Sequence, residues 1–495
     1  MRSEHSNQAD SEHLGLKVTK GVGWNYLSYG LGKTISLITI SILAHLLSPD
    51  DFGVVALATL AIEYLSILND FGLATALIQR RENLEEASNV VFTLNLIISF
   101  SLTLLTYLLA PRVALFFNEP SLTPILRWLG LIFSINAFGS VHKARLQREM
   151  HFGRKVIPEL GNTIIKGVVS IGFAIKGYGA WSLVYGQLAG LSVSIILLWI
   201  VVPWMPSLVF RSGLSNQLFN FGIPIMADRA LSILGDSFDY FVIGRFFDSA
   251  ALGIYTLAYR LPELLVITTL TVLAGVIFPA YASIQNQPNE LRKRFLQTIK
   301  YVQLLITPMC LGMIVAADLI IKVVFGEQWL DAIPIMQILS LYCLILSIGY
   351  HVGDVYKAIG RPDILIKLSV PIFIIRIIAI WVGAQYSLIG VAYGHLIASM
   401  FELILRTIVA IRVVKISLLE ITKQLTAFIG GAVLLALTIP TLYITSEMDQ
   451  IIRLILVVVV GALGYLGTIW IIEGESLKRA LKIIGLKSPI NSLKN

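Results

Sequence analysis

The chain alternates between long apolar runs and short polar breaks along nearly its whole length. Each run approaches or exceeds the roughly 20 residues that an α-helix needs to cross a hydrocarbon core. The pattern predicts an all-α polytopic membrane protein. We predict about fourteen spans, which lie near residues 21–47, 52–79, 90–109, 122–141, 156–175, 180–202, 218–244, 251–284, 301–324, 332–356, 366–384, 388–409, 425–444 and 451–472.

Composition narrows the class of protein further. The 495 residues are 56% hydrophobic and 14% charged, with a mean hydropathy of +0.80, whereas soluble domains carry about 25% charged residues. The predicted loops are too short to fold as a catalytic domain of about 50 residues, so we predict a protein that is not an enzyme. Cys310 and Cys343 lie in separate apolar runs, which excludes a disulfide framework or a zinc site. The sequence predicts no cofactor, metal or nucleotide-binding loop.

Lys and Arg concentrate in the cytoplasmic loops of membrane proteins, so their placement tests the orientation of the predicted spans. Of the 38 basic residues, 27 fall on one side of the membrane and six on the other. The richer side includes both termini, which are therefore predicted to be cytoplasmic. This topology accounts for the formal net charge of +8, and we predict no nucleic-acid partner.

An internal repeat divides the chain. SPDDFGVVALA from Ser48 aligns with DSAALGIYTLA from Asp248 at an offset of 200, and this pairs Gly53 with Gly253. Because each copy holds an even number of helices, the copies enter the membrane in the same orientation, as in transporters built from parallel repeats. The predicted organisation is a polar tail (1–20), two six-helix lobes (21–203 and 213–412), accessory helices (420–473) and a basic tail (474–495). The first apolar run is too long for a signal peptide and is expected to stay in the protein.

Charged side chains remain inside the predicted spans, where each costs about 2.5 to 3.5 kcal/mol unless it meets a partner or a watery cavity. Several cations without a metal suit a phosphate or pyrophosphate group. The predicted substrate-binding residues are Lys33, Lys166, Arg229, Arg260 and Arg376. The candidates for carrying a coupling proton or sodium ion are Glu63, Asp70, Glu263 and Asp354.

Some of these charges have a simpler structural interpretation. Arg260 and Glu263 are spaced i,i+3 and could neutralise each other on one helix face. Arg376 could extend to the membrane surface instead of binding substrate. His351 and His395 lack the spacing of metal ligands and are most simply explained as polar groups bonded between helices.

The order of several motifs carries a family resemblance: LSPDDFGVVALATLA, FGLATALIQRRENL, LQREMHFGRK, YGAWSLVYGQL, DYFVIGRFFDSAALGIYTLAYRLPELL and FGEQWLDAIPIM. Together they resemble the polysaccharide transporter branch of the MOP exporter superfamily. The resemblance implies a Wzx-type flippase that moves an undecaprenyl-pyrophosphate-linked oligosaccharide across a bacterial inner membrane by alternating access. The subgroup with the most similar pattern exports glycans of the colanic or teichuronic acid kind.

The resemblance also implies where the substrate passes and which partners are involved. In that superfamily helices 1, 2, 7 and 8 line the central cleft, which would place Lys33, Glu63, Arg229, Arg260 and Glu263 there. The lipid-linked glycan and the bilayer are the implied partners, and a polysaccharide polymerase with its chain-length machinery is a candidate protein partner.

The sequence was compared with the features of two other functions, a drug extruder of the same fold and a membrane enzyme. A MATE-like, ion-coupled multidrug or cation extruder of the same fold would favour an acidic cleft with few bases and about twelve helices. A membrane glycosyltransferase or polymerase would need an acidic catalytic site on a large outer loop, which the sequence does not predict.

Overall fold

The computed structural model describes residues 30–80, 82–149 and 152–483. Within these ranges the secondary structure is helical, and a helix lies at each of the fourteen predicted spans. The long helices are α1 Gly30–Leu46, α2 Pro49–Asp70, α3 Leu84–Phe116, α4 Leu122–Arg148, α5 Phe152–Ile175, α6 Ala180–Val201, α7 Ser212–Asp236, α8 Ser249–Ser283, α9 Pro288–Val315, α10 Ala332–Ala358, α11 Pro362–Ala384, α12 Leu388–Val414, α13 Ala427–Ile444 and α14 Gln450–Ile483.

Eleven helices in the described part of the chain are long and apolar enough to cross a membrane. The helices α1, α7 and α12 are not among the eleven, and residues 21–29 of the first predicted span lie outside the described residues. The all-α membrane class is therefore confirmed, while the number of fourteen crossings stays a prediction. The predicted tail 1–20 and residues 484–495 also lie outside the described residues.

The chain forms two compact units, Met1–Gly253 and Ile254–Asn495. The seventh helix, α7, clusters with the helices that precede it, since it packs along α2 and against the short helix Leu73–Gln79.

At one end of the first unit, a hydrophobic core joins α3 and α4 to the segment after α6. Trp204 is buried in that core and donates its indole N–H to a carboxylate oxygen of Glu85 on α3. The buried His142 of α4 lies 3.1 Å from the Trp204 carbonyl oxygen. These bonds fix the segment between α6 and α7 against the helices that precede it.

The N-terminal turns of α2 and α8 cross at a very close approach. A Cβ atom added to Gly53 would overlap the carbonyl oxygen of Ser249, and one added to Gly253 would overlap that of Pro49. The positions 49 and 249, like 53 and 253, are related by the offset of the sequence repeat. The close approach therefore requires glycine at both positions.

In the second unit, the accessory helices α13 and α14 pack on α9. Tyr465 of α14 donates its hydroxyl to the Leu304 carbonyl oxygen at 2.9 Å, and Lys300 of α9 pairs with Glu473 at 2.5 Å. At Glu473 the helix α14 kinks through a non-helical backbone conformation. The predicted boundary between the accessory helices and the basic tail falls at this kink.

Two helices of the second unit depart from regular α geometry inside the predicted membrane region. In α8 the residues Glu263–Ile267 form a π-helix directly after Pro262, which cannot donate a backbone hydrogen bond. In α10 the helix is interrupted at Tyr350 and His351, between segments that end at Gly349 and begin at Val352. Such irregularities free backbone groups that need new partners in a membrane.

Candidate functional site

The carboxylate of Glu63 lies at the contact between α2 and the end of α7. The Ser237 hydroxyl donates a hydrogen bond to Glu63 at 3.0 Å, and the Tyr64 hydroxyl donates to the Ser237 carbonyl oxygen at 3.4 Å. Glu63 itself is exposed. This ion-coupling candidate therefore accepts a hydrogen bond from an uncharged side chain and has an accessible carboxylate.

The predicted substrate-binding cations of the first unit are accessible. Arg229 of α7 and Lys166 of α5 are exposed, and Lys33 of α1 is half-buried. A charge on a spanning helix is costly in lipid, and such charges typically pair, line a water-filled cavity or extend to the membrane surface. Asp70 is the last residue of α2, and its side chain lies outside what the structure describes.

Arg260 and Glu263 form a loose ion pair on α8. Arg260 Nη1 lies 3.4 Å from Glu263 Oε2, and the side chains are 31% and 44% exposed. Glu263 is also the first residue of the π-helix, a feature that is frequent at functional sites. The guanidinium carries five N–H donors, and the contact with Glu263 is made through Nη1.

Arg376 has a different environment. It contacts Glu402 of α12 at 3.4 Å, and the same carboxylate accepts a 2.7 Å contact from Arg406 one turn further along α12. Glu402 is only 5% exposed. Arg376 is thus one of two arginines held on a single buried carboxylate.

Asp354 is also buried and held by neighbours on its own helix. His351 Nδ1 lies 3.0 Å from one of its carboxylate oxygens, and Lys357 Nζ lies 3.4 Å from the other. The sequence pattern alone did not assign His351, Glu402 or Arg406 to a site. The i,i+3 spacing of His351 and Asp354 and the i,i+4 spacing of Glu402 and Arg406 were the available signals.

The described residues contain no cluster of three or more His, Cys, Asp or Glu side chains that could hold a metal ion. What they offer inside the spans is a set of fixed cations and carboxylates. Such groups can bind an anionic ligand and respond to a coupling ion, which is the chemistry of a transport site.

The helical fold, the internal repeat and these intramembrane charges define a polytopic membrane transporter. The chain belongs to the family described as "polysaccharide biosynthesis protein", which matches residues 42–334. The family predicted from the motifs is thereby confirmed.

Two biosynthesis proteins from bacteria are similar in sequence to most of the chain. The teichuronic acid biosynthesis protein TuaB of Bacillus subtilis is 27% identical over 460 residues, which cover 91% of this chain and 94% of TuaB. The lipopolysaccharide biosynthesis protein WzxC of Escherichia coli is 27% identical over 405 residues, which cover 80% of this chain and 81% of WzxC.

Solved structures match the fold at low sequence identity. The lipid II flippase MurJ in an inward closed conformation superposes with a TM-score of 0.74 at 15% identity, covering 92% of this chain and 99% of MurJ. An inward-facing multidrug resistance MATE transporter of the MOP superfamily has a TM-score of 0.64 at 16% identity, covering 77% of this chain and 95% of the transporter. The MOP-type transporter fold is thus confirmed.

Proposed function

We propose that the chain is a flippase that moves undecaprenyl-pyrophosphate-linked oligosaccharide units across the bacterial inner membrane by alternating access. The glycans serve exopolysaccharide or O-antigen-type biosynthesis. Relatives named for teichuronic acid and lipopolysaccharide biosynthesis, and the fold of a lipid II flippase, support this function. The bilayer and the lipid-linked glycan are its partners, with a polymerase and chain-length machinery as proposed protein partners. Transport needs no catalytic step on this chain.

We further propose a topology for this activity. Two six-helix lobes, 21–203 and 213–412, alternate access to the substrate, both termini are cytoplasmic, and the accessory helices 420–473 serve the lipid part of the substrate. The distribution of basic residues and the sequence repeat support this arrangement.

One observation carries the proposed substrate site: Arg229 and Lys166 are exposed although they belong to helices predicted to span the membrane. We propose that Arg229 and Arg260 bind the pyrophosphate, with Lys33 and Lys166 adding positive charge. Guanidinium groups bind phosphate oxygens in a bidentate manner, which suits a diphosphate. Arg376 is proposed to act through Glu402, and Glu63, Asp70, Glu263 and Asp354 are proposed to respond to a coupling ion.

The test uses purified protein in liposomes that contain a short-chain polyprenyl-pyrophosphate oligosaccharide. The readout is the fraction of glycan that becomes accessible to a membrane-impermeant glycosidase over time. We expect protein-dependent exposure that falls at least tenfold when Arg229 and Arg260 are both replaced by Gln. Arg245→Gln is the matched control, because Arg245 is also exposed but packs over the Phe116 ring.

The outcomes separate the functions. Equal exposure by the wild type and the double variant would remove the cationic site. An inactive wild-type protein that instead extrudes a cationic dye in exchange for ions would favour the MATE-like drug extruder.

A further inference from the structure

The interruption of α10 is held together by one arginine from α12. Arg406 Nη1 lies 3.3 Å from the carbonyl oxygens of both Gly349 and Tyr350. These carbonyls belong to the residues at which the helix is interrupted before Val352. A break at membrane depth is tolerated only where such groups find partners inside the protein. Arg406 therefore stabilises the irregular backbone.

The residue that follows this bonded carbonyl is a buried histidine. The His351 side chain is 3% exposed and its Asp354 partner 7% exposed. An ionised carboxylate can only accept, so a neutral His351 ring donates from Nδ1 to Asp354 and keeps a lone pair on Nε2. Nε2 is buried, and within the described part of the chain it has no hydrogen-bond partner. A proton acceptor is thus held in place beside the break.

Other charged and titratable groups surround the pair. Lys357 lies on the same helical segment as Asp354 and is half exposed. Tyr281 of α8 lies close enough to Asp354 for the two side chains to interact electrostatically. From α12, Arg406 reaches the Tyr350 carbonyl. On α11 the nearest turn carries Asp363 and Lys367, which pair with each other at 3.6 Å on the surface.

From Arg406 the polar contacts continue to a third helix. Arg406 Nη2 contacts Glu402 at 2.7 Å, and the other oxygen of Glu402 contacts Arg376 of α11 at 3.4 Å. One arginine therefore touches both the interrupted backbone of α10 and the carboxylate that holds Arg376.

We propose that His351 and Asp354 form a proton-binding site, and that the Arg406–Glu402–Arg376 contacts transmit its charge state to α11. The proposal rests on the proposed transport function, for which it supplies the coupling ion. A proton taken up from water at Nε2 converts the ring to an imidazolium beside the carbonyls that Arg406 holds. Repulsion between the two cations weakens the hold of Arg406 on α10 and redistributes the two arginines around Glu402. Loss of the proton restores the original contacts.

The first experiment counts protons without transport. Wild-type protein in weakly buffered detergent is titrated with acid and base, and the protons bound per chain are counted. We expect His351→Gln to bind one proton fewer per chain than the wild type. His395→Gln is the matched control: His395 is buried in the same unit to a similar degree, and its ring lies tilted against that of Tyr342 at a centroid distance of 5.2 Å. Identical titration curves for the wild type and His351→Gln would overturn the proposal.

The second experiment follows protons during transport, in liposomes that enclose a pH-sensitive dye. We expect the lipid-linked glycan to trigger proton movement that falls at least tenfold in His351→Gln and in Asp354→Asn, and that stays within twofold in His395→Gln. Asp354→Asn keeps an acceptor for Nδ1 and so guards against misfolding as the cause. If the wild type flips glycan without moving protons, the proposed proton-binding site is disproved and the proposed flippase function is unaffected. If it does not flip glycan at all, the proposed function fails instead.

Discussion

Exposed charges of the first unit have different surroundings from buried charges of the second. In the first unit, Glu63, Lys166 and Arg229 are exposed, and Glu63 accepts a hydrogen bond from a serine hydroxyl. In the second, Glu402 and Asp354 are buried and each contacts two cationic or protonatable side chains. Accessible charges can meet a ligand, whereas buried ones hold each other and can meet only a proton or a rearranged partner. Similar residues in similar apolar helices therefore have different surroundings.

The largest effect that would sharpen this contrast is expected from Glu402→Ala. The change leaves Arg376 and Arg406 without the carboxylate between them, and breaking a buried ion pair costs about 3–5 kcal/mol. Glu63→Ala, which removes an exposed carboxylate, should cost less than about 1 kcal/mol. The free energy of unfolding in detergent checks both. Equal losses for the two variants would contradict the contrast between the units.

A somewhat smaller effect is expected at the crossing of α2 and α8. Gly53→Ala places a Cβ against the Ser249 carbonyl, and overpacking of this kind costs about 1–3 kcal/mol. Gly172→Ala in α5 is the matched control, because a Cβ there meets no atom within 4 Å. Thermal unfolding of the two variants in the same detergent measures the difference. If both melt alike, the crossing is not the tight contact described above.

Arg229 and Arg376 should separate activity from stability. We expect Arg229→Gln to reduce glycan exposure about tenfold, equivalent to about 1.4 kcal/mol in the transition state, with an unchanged melting temperature. Arg376→Gln should lower stability by about 1–2 kcal/mol, because it removes one donor from a buried carboxylate that keeps Arg406. Parallel flipping and melting assays test this. A stability loss at Arg229 with none at Arg376 would reverse the assignment.

The smallest effect concerns a surface contact of the second unit. The backbone N–H of Ser417, and then the Arg292 guanidinium, hold the pKa of Glu420 below its usual value. A lowered pKa contributes stability that is complete above the ordinary pKa of glutamate and is lost as pH falls through the lowered value. Glu420→Gln should flatten the part of the acid-melting profile that lies below the ordinary pKa of glutamate, and Arg292→Gln should shift that part to higher pH. An unchanged profile in both variants would remove the contact as a cause.

Sequence reasoning predicted the spans because they appear as long apolar runs, and the repeat because its motifs recur at a nearly fixed offset. It also raised the Arg260–Glu263 pair, since i,i+3 neighbours share a helix face. It could not predict that Arg376 of α11 meets Glu402 of α12, because contacts between helices depend on packing angles that hydropathy does not encode. Nor could it predict the break at Tyr350 and His351, because the predicted span runs through both residues from 332 to 356 with no proline beside them.

The crossing of Gly53 and Gly253 also bears on how a duplicated gene can diverge. The contact consists of backbone atoms, so it requires glycine at one position in each copy and constrains no other side chain. Two codons must remain in step, while the positions around them are free to drift. A duplication constrained at so small a point leaves each copy free to acquire different side chains elsewhere along its helices.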